Sequence, residues 1–167
     1  MNDQIVELNQ PGLQLVLYGP RAAALLEDGG NYGQRFPDGC DMVDYVNESR
    51  FAAIGTRWPS RQHWLHFSST MDTSVIQTAS DHVRLGVEVT DGRLCVRGSD
   101  DLFRWTTRCP GEQIVSIDDG FYELTACVVL DEDSALVRIY LHFAQVPAKP
   151  ELGYDRVPEL YGDSPTW

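Results

Sequence analysis

The chain has 167 residues, 43% of them hydrophobic and 10% aromatic, enough to bury one core, which argues against both a disordered chain and a two-domain one. Its 25 acidic and 13 basic side chains leave a formal charge of −12, a field that repels phosphate backbones and anionic lipid and attracts cationic protein. Direct nucleic-acid binding and membrane binding are not expected.

The opening "MNDQIVELNQPG" lacks the basic and apolar stretches of a secretory leader, and no apolar run approaches the ~18 residues of a membrane span, so a cytoplasmic protein is expected. "IVELN" and "LQLVLYG" predict two strands. "PRAAALLED" predicts a short helix, opened by Pro20 and stopped by Gly29. The Gly- and Asp-rich excursion that follows contains "DMVDYVNE". This stretch predicts a second short helix, with Met42, Val43 and Val46 turned inward and Asp38, Asp41, Asp44 and Glu48 forming an acidic stripe. Asn47-Glu48-Ser49 is a glycosylation sequon that should carry no sugar in a chain without a leader.

"RFAAIGT", "HWLHFS" and "TSVIQTA" read as further short strands. A strand sends His63 and His66 to opposite faces, and the His-plus-carboxylate spacings of zinc hydrolases are missing, so neither metal ligands nor cofactors are expected. In "HVRLGVEVTDGRLCVRG", Val83, Leu85, Val87 and Val89 alternate with mostly polar residues, and Leu94 and Val96 resume the alternation. This predicts a hairpin turning at Asp91-Gly92. "LFRWTTR" and "EQIVSID" add two more strands. A second strand pair follows, with Tyr122, Leu124, Ala126, Val128 and Leu130 on one face of its first strand and Val137, Ile139, Leu141 and Phe143 on one face of its second, joined by the acidic turn Asp131 to Ser134. About nine or ten strands and one or two short helices predict a mainly β fold, an antiparallel β-sandwich or flattened barrel, in a single domain over 1–167.

Catalytic residues are not expected. Asp100-Asp101, Asp118-Asp119 and Asp131-Glu132-Asp133 fall at turns, where aspartate bonds to nearby backbone amides, and adjacent turn carboxylates do not converge across a cleft as a glycosidase needs. No nucleophile elbow, phosphate loop or dinucleotide fingerprint occurs. Cys40, Cys95, Cys109 and Cys127 lack paired zinc spacing and read as thiols.

The C-terminal segment 147–167 is Pro-rich, acidic and aromatic. Glu151, Asp155, Glu159 and Asp163 recur every fourth residue, but Pro158 and Pro165 break any continuous helix, so the segment is expected to be extended or broken. "PELGY" and "PELYG" nearly repeat. Leu152, Tyr154, Leu160 and Tyr161 either pack the segment onto the sandwich or join the carboxylates in a recognition surface.

The stretch "IDDGFYELTACVVLDEDSALVRIYLHFAQVPAKPELGYDRVPEL", in which Gly120-Phe121-Tyr122 opens the long strand pair, resembles the C-terminal part of small bacterial β-sandwich proteins of the competence protein J group. The resemblance implies a protein without catalysis of its own, an immunity protein that binds and neutralises a cognate toxin, foremost a nuclease. It carries no inhibitory residue across position by position. A nuclease site is basic because it holds phosphate, so an acidic, ring-bearing surface can imitate its ligand. The candidate contact residues are Asp38, Asp41, Asp44, Asp155, Glu159, Tyr161 and Asp163, and the expected partner is a basic protein toxin. The alternative is a small-ligand binder or enzyme using a pocket inside the sandwich or barrel, with His63, His66 or His142 as its polar groups.

Overall fold

The hydrophobic alternation is realised as nine strands in two sheets in a computed structural model, which describes residues 3–9, 11–20, 29–36, 40–57, 59–103, 108–129 and 135–160, the side chains of Cys40, Asp41 and Phe103 excepted. The five-stranded sheet runs β1 (Gln4–Asn9), β4 (Gln62–Ser68), β9 (Leu136–Val146), β8 (Gly120–Val129), β5 (Asp81–Val89). The four-stranded sheet runs β3 (Ala52–Gly55), β2 (Gln14–Tyr18), β6 (Arg93–Gly98), β7 (Ile114–Ser116). Three short helices, α1 (Tyr32–Arg35), α2 (Cys40–Asn47) and α3 (Thr73–Thr78), and 3-10 turns at Ser99–Phe103 and Gly111–Gln113 complete the described chain. The fold is a β-sandwich, as the strand spacing predicts.

Alternation in β5, β8 and β9 places Val83, Leu85, Val87 and Val89 on the same buried face as Tyr122, Leu124, Ala126 and Val128, and as Val137, Ile139, Leu141 and Phe143. A fully buried aliphatic or phenyl side chain of this kind contributes about 1.5–3 kcal/mol. The long strand pair forms as expected, with Phe121 opposite Val146 and Val129 opposite Arg138. Its connecting residues 130–134 lie outside the described residues, as do 21–28 of the expected first helix. The expected second helix is α2, with Met42, Val43 and Val46 buried.

Three local expectations are overturned. The alternation on either side of Asp91-Gly92 is real, but β5 and β6 do not pair with each other: β5 pairs with β8, and β6 pairs with β2 and β7. The turn is an arch that passes the chain from one sheet to the other. Its tip is held by the link between β7 and β8, since the Gly92 N–H, at a left-handed φ of 65°, donates to Asp119 Oδ1 at 2.6 Å and the Gly92 carbonyl accepts from the Ile117 N–H at 3.2 Å. "TSVIQTA" is the helix α3, capped by Asp72, whose Oδ1 accepts from the Ser74 N–H at 2.9 Å, and that local bond outweighs the strand propensity of Val75 and Ile76. The start of "LFRWTTR" belongs to a 3-10 turn rather than a strand. One contact also departs from antiparallel order, because β4 and β9 lie side by side in parallel.

Three sheet edges are closed by groups that belong to no neighbouring strand. At β7 the Gln4 side chain imitates a strand, with Nε2 donating to the Ser116 carbonyl at 3.1 Å and Oε1 accepting from the Ser116 N–H at 3.2 Å. At β3 the Gly55 N–H donates to the Pro158 carbonyl at 2.8 Å and the Gly55 carbonyl accepts from the Leu160 N–H at 3.2 Å. At β5 the Glu88 N–H donates to the Ser49 carbonyl at 2.8 Å, and the Tyr154 hydroxyl donates to the Arg84 carbonyl.

Candidate functional site

Two surfaces stand out. The first is the flank where α2 and the C-terminal segment meet. Helix α2 ends in a reversal in which the Ser49 N–H donates to Val46 O at 3.0 Å and the Arg50 N–H to Tyr45 O at 2.9 Å, with Ser49 at a left-handed φ of 59°. Ser49 is buried against Gly86 of β5, where any side chain would collide with the Ser49 side chain and the Pro150 ring. Gly86 is therefore what lets the segment after β9 lie flat across β5.

From there the segment is bolted to α2. Asn47 Nδ2 donates to the Tyr154 carbonyl at 2.9 Å and Asn47 Oδ1 accepts from the Tyr154 N–H at 3.0 Å, a two-bond clamp. Burial pushes the Tyr154 hydroxyl up from its ordinary pKa, so it stays a neutral donor to the Arg84 carbonyl. Beyond it Pro158 and Leu160 are buried along β3. Residues 150–160 contain no helix, as their prolines predict, and Tyr154 and Leu160 serve packing as well as position.

The clamp decides which predicted contact residues come together. Asp44 is exposed about one turn before Asn47, and Asp155 is exposed directly after Tyr154, so the clamp ties together the two segments that carry them, on which Glu48 and Glu151 are also exposed. Glu159 is exposed farther along, where its side chain packs over Gly55. Asp41 lies on α2, while Asp38, Tyr161 and Asp163 lie outside the described residues. The flank is mixed in sign. Arg50 binds Glu48 at 2.7 Å, Arg84 binds Glu123 at 2.5 Å, and Arg156 is exposed beside Asp155. Asn47 was visible in the sequence only as part of a sequon, because its role depends on a partner 107 residues away.

The second surface is the outer face of the five-stranded sheet. Register sets Ile5, His66, Tyr140, Cys127 and His82 in one row across all five strands. Ile5, His66, Tyr140 and Cys127 of this row, together with α3 and the loop before it, border an open pocket of about 380 Å³. His66 stacks on Tyr140 with ring centroids 4.7 Å apart, and His142 lies within 3.2 Å of the Ser69 carbonyl. Ile5 and Met71 are 57% and 42% exposed at its rim, and α3 contributes only half-buried Val75 and Ile76.

The pocket of the alternative reading is thus displaced. It lies outside the sheet rather than between the sheets, and it holds His66 and His142 but not His63, which is buried on the inner face with Nδ1 3.0 Å from the Arg61 carbonyl. The opposite placement of His63 and His66 is as their spacing predicts. Burial, reinforced by Arg138, lowers the His66 pKa, and burial raises that of Cys127. Both shifts favour the neutral forms of these groups. No group of three or more metal-ligating side chains occurs among the described residues, and no described helix is long and apolar enough to cross a membrane.

No family model and no curated protein sequence matches the chain. Two solved structures share its fold at 12% sequence identity. ComJ from Bacillus subtilis, inhibitor of the DNA degrading activity of NucA, aligns over 87% of this chain and 96% of its own with a TM-score of 0.51. The crocagin biosynthetic gene J product aligns over 85% of this chain and 98% of its own with a TM-score of 0.52. The likeness to the competence protein J group read from the last third of the sequence is matched by a fold that spans nearly the whole chain.

Proposed function

We propose that this protein is a non-catalytic inhibitor that binds a basic protein partner, a nuclease toxin, and occludes its phosphate-binding site. The observation that carries the reading is the Asn47–Tyr154 clamp, which fixes the acidic face of α2 and the acidic C-terminal segment as one preorganised surface. Its support is the shared fold with an inhibitor of DNA degradation and the net charge of −12. Asp44 and Asp155 are the charges assigned to the partner, since neither is taken up by an ion pair described on that flank, unlike Glu48.

The test is to mix the purified protein with the nuclease encoded beside it and to follow both complex formation and DNA or RNA degradation. A complex at micromolar concentration or tighter that abolishes degradation is expected. Reversing both charges, Asp44→Lys with Asp155→Lys, should weaken it by about 10–100-fold, mostly through a slower, less salt-sensitive association. No complex at micromolar concentration, and no protection of cells expressing the nuclease, would sink the reading.

A second reading rests on the outer-face pocket, as a site for a small, largely apolar ligand stacked against His66 and Tyr140. Quenching or shift of the Tyr140 signals by such a ligand, abolished by His66→Ala, would favour it over the inhibitor.

A further inference from the structure

Neither surface uses the sulfur pair at the β6–β7 end of the four-stranded sheet. Cys95 lies in β6, wholly buried, opposite Ile114 of β7. Cys109 lies in the crossover that leads into β7, half-buried against the core, and its thiol donates to the Gln113 carbonyl at 3.2 Å. Gln113 immediately precedes Ile114, the residue opposite Cys95, so this bond holds the Cys109 sulfur beside the strand position that faces Cys95. Both are free thiols in this structure. Cys127, by contrast, sits on the other sheet in the outer-face row with Tyr140 and His82.

The surroundings separate the two sulfurs chemically. Cys109 is held below its ordinary thiol pKa, first by the hydrogen bond from Cys95 and then by the Val96 N–H and the Arg97 guanidinium, which outweigh its partial burial. Cys95 is pushed up by that same bond and by burial, and the Tyr18 hydroxyl hydrogen-bonds to it. A half-buried thiol held beside a wholly buried one is the arrangement of an attacking and a resolving cysteine.

We propose that Cys95 and Cys109 are a modification site, a dithiol that closes to an intramolecular disulfide by exchange with a low-molecular-weight disulfide of the glutathione type. The Cys109 thiolate attacks one sulfur of the external disulfide, whose S–S bond breaks and releases one external thiolate. Cys95, as it gives up its proton, then attacks the Cys109 sulfur of the mixed disulfide and releases the second external thiolate. Two protein thiols are oxidised by two electrons, one external disulfide is reduced to two thiols, and the two protons lost by the cysteines end on the two released thiolates. The product staples β6 to the crossover ahead of β7.

The probe is oxidised glutathione, added to the full-length protein and followed by intact mass and peptide mapping without reduction. The wild type is expected to lose two hydrogens and to yield a Cys95–Cys109 cross-linked peptide. Cys95→Ser should stop at one glutathionyl group on Cys109, and Cys109→Ser should leave Cys95 unmodified. If Cys95→Ser does not fold, wild-type mapping with Cys109→Ser decides alone. A wild type that keeps a stable glutathionyl group on Cys109, leaves both thiols free in excess oxidised glutathione, or links Cys109 to Cys40 or Cys127 instead overturns the proposal.

Discussion

The flank where α2 meets the C-terminal segment and the outer face of the five-stranded sheet are the two surfaces on which this fold displays chemistry, and they are built in opposite ways. On the flank, apolar groups are hidden and polar ones shown: Leu160 is 0% exposed, Tyr154 is bonded at its backbone and its hydroxyl, and carboxylates point outward from a fixed base. On the outer face the apolar groups are the ones shown, with Ile5 and Met71 exposed beside a helix that buries none of its residues. A clamped, charged surface suits recognition of a folded cationic protein, whereas an open, apolar one suits a small ligand or a short segment.

The test with the largest expected effect asks whether the C-terminal segment is part of the sandwich. Leu160→Ala should cost about 2–5 kcal/mol in urea unfolding, through lost burial and the cavity left beside β3. A cost below about 0.5 kcal/mol would make the segment an appendage, and the contrast between the two surfaces would lose its basis. Next comes the clamp. Asn47→Ala removes both bonds from its side chain to the Tyr154 backbone and should cost about 1–2 kcal/mol, while lowering affinity for the proposed basic partner without removing any charge.

The two faces of β4 give a pH test. Burial lowers the pKa of His63, so the folded protein resists a proton that the unfolded chain accepts. Stability should therefore be unaffected by this group well above a pH of about 6.5, fall as pH drops through that value, and level off below the folded-state pKa. His63→Asn, whose amide can still reach the Arg61 carbonyl, should flatten the decline of Tm between neutral and mildly acidic pH. His66→Gln on the outer face, which is less buried, should flatten it less. The smallest effect is expected at the pocket rim, where Ile5→Ser with Met71→Ser should change stability by no more than about 0.5 kcal/mol and leave partner affinity unchanged. A loss of inhibitor activity in that variant would move the contact surface to the outer face.

What the sequence disclosed and what it hid divide along physical lines. Period-two alternation announced the buried faces of β5, β8 and β9, because that signal is local to each strand. It could not announce partners. Asp91-Gly92 carries the turn chemistry of a hairpin, yet an arch between sheets needs the same glycine, and only the bonds to Asp119 and Ile117 distinguish the two. The parallel contact of β4 with β9 was hidden for the same reason, since some seventy residues separate the strands. In α3, Val75 and Ile76 suggested a strand, and the Asp72 cap that reversed the preference is one residue type at one position. Of the candidate contact residues, Asp44 and Asp155 were legible as acidic. That the segments carrying them are joined was not, because the join is made by Asn47 and Tyr154.

The closed sheet margins limit how this molecule can join other chains. A β-sheet ordinarily recruits a further strand through the bare amides and carbonyls of its border, the first step of both donor-strand exchange and fibril growth. Here a newcomer at β7 must first evict the Gln4 amide, and one at β3 must pull Leu160 from its burial, so polymerisation along those borders is opposed by native contacts already in place.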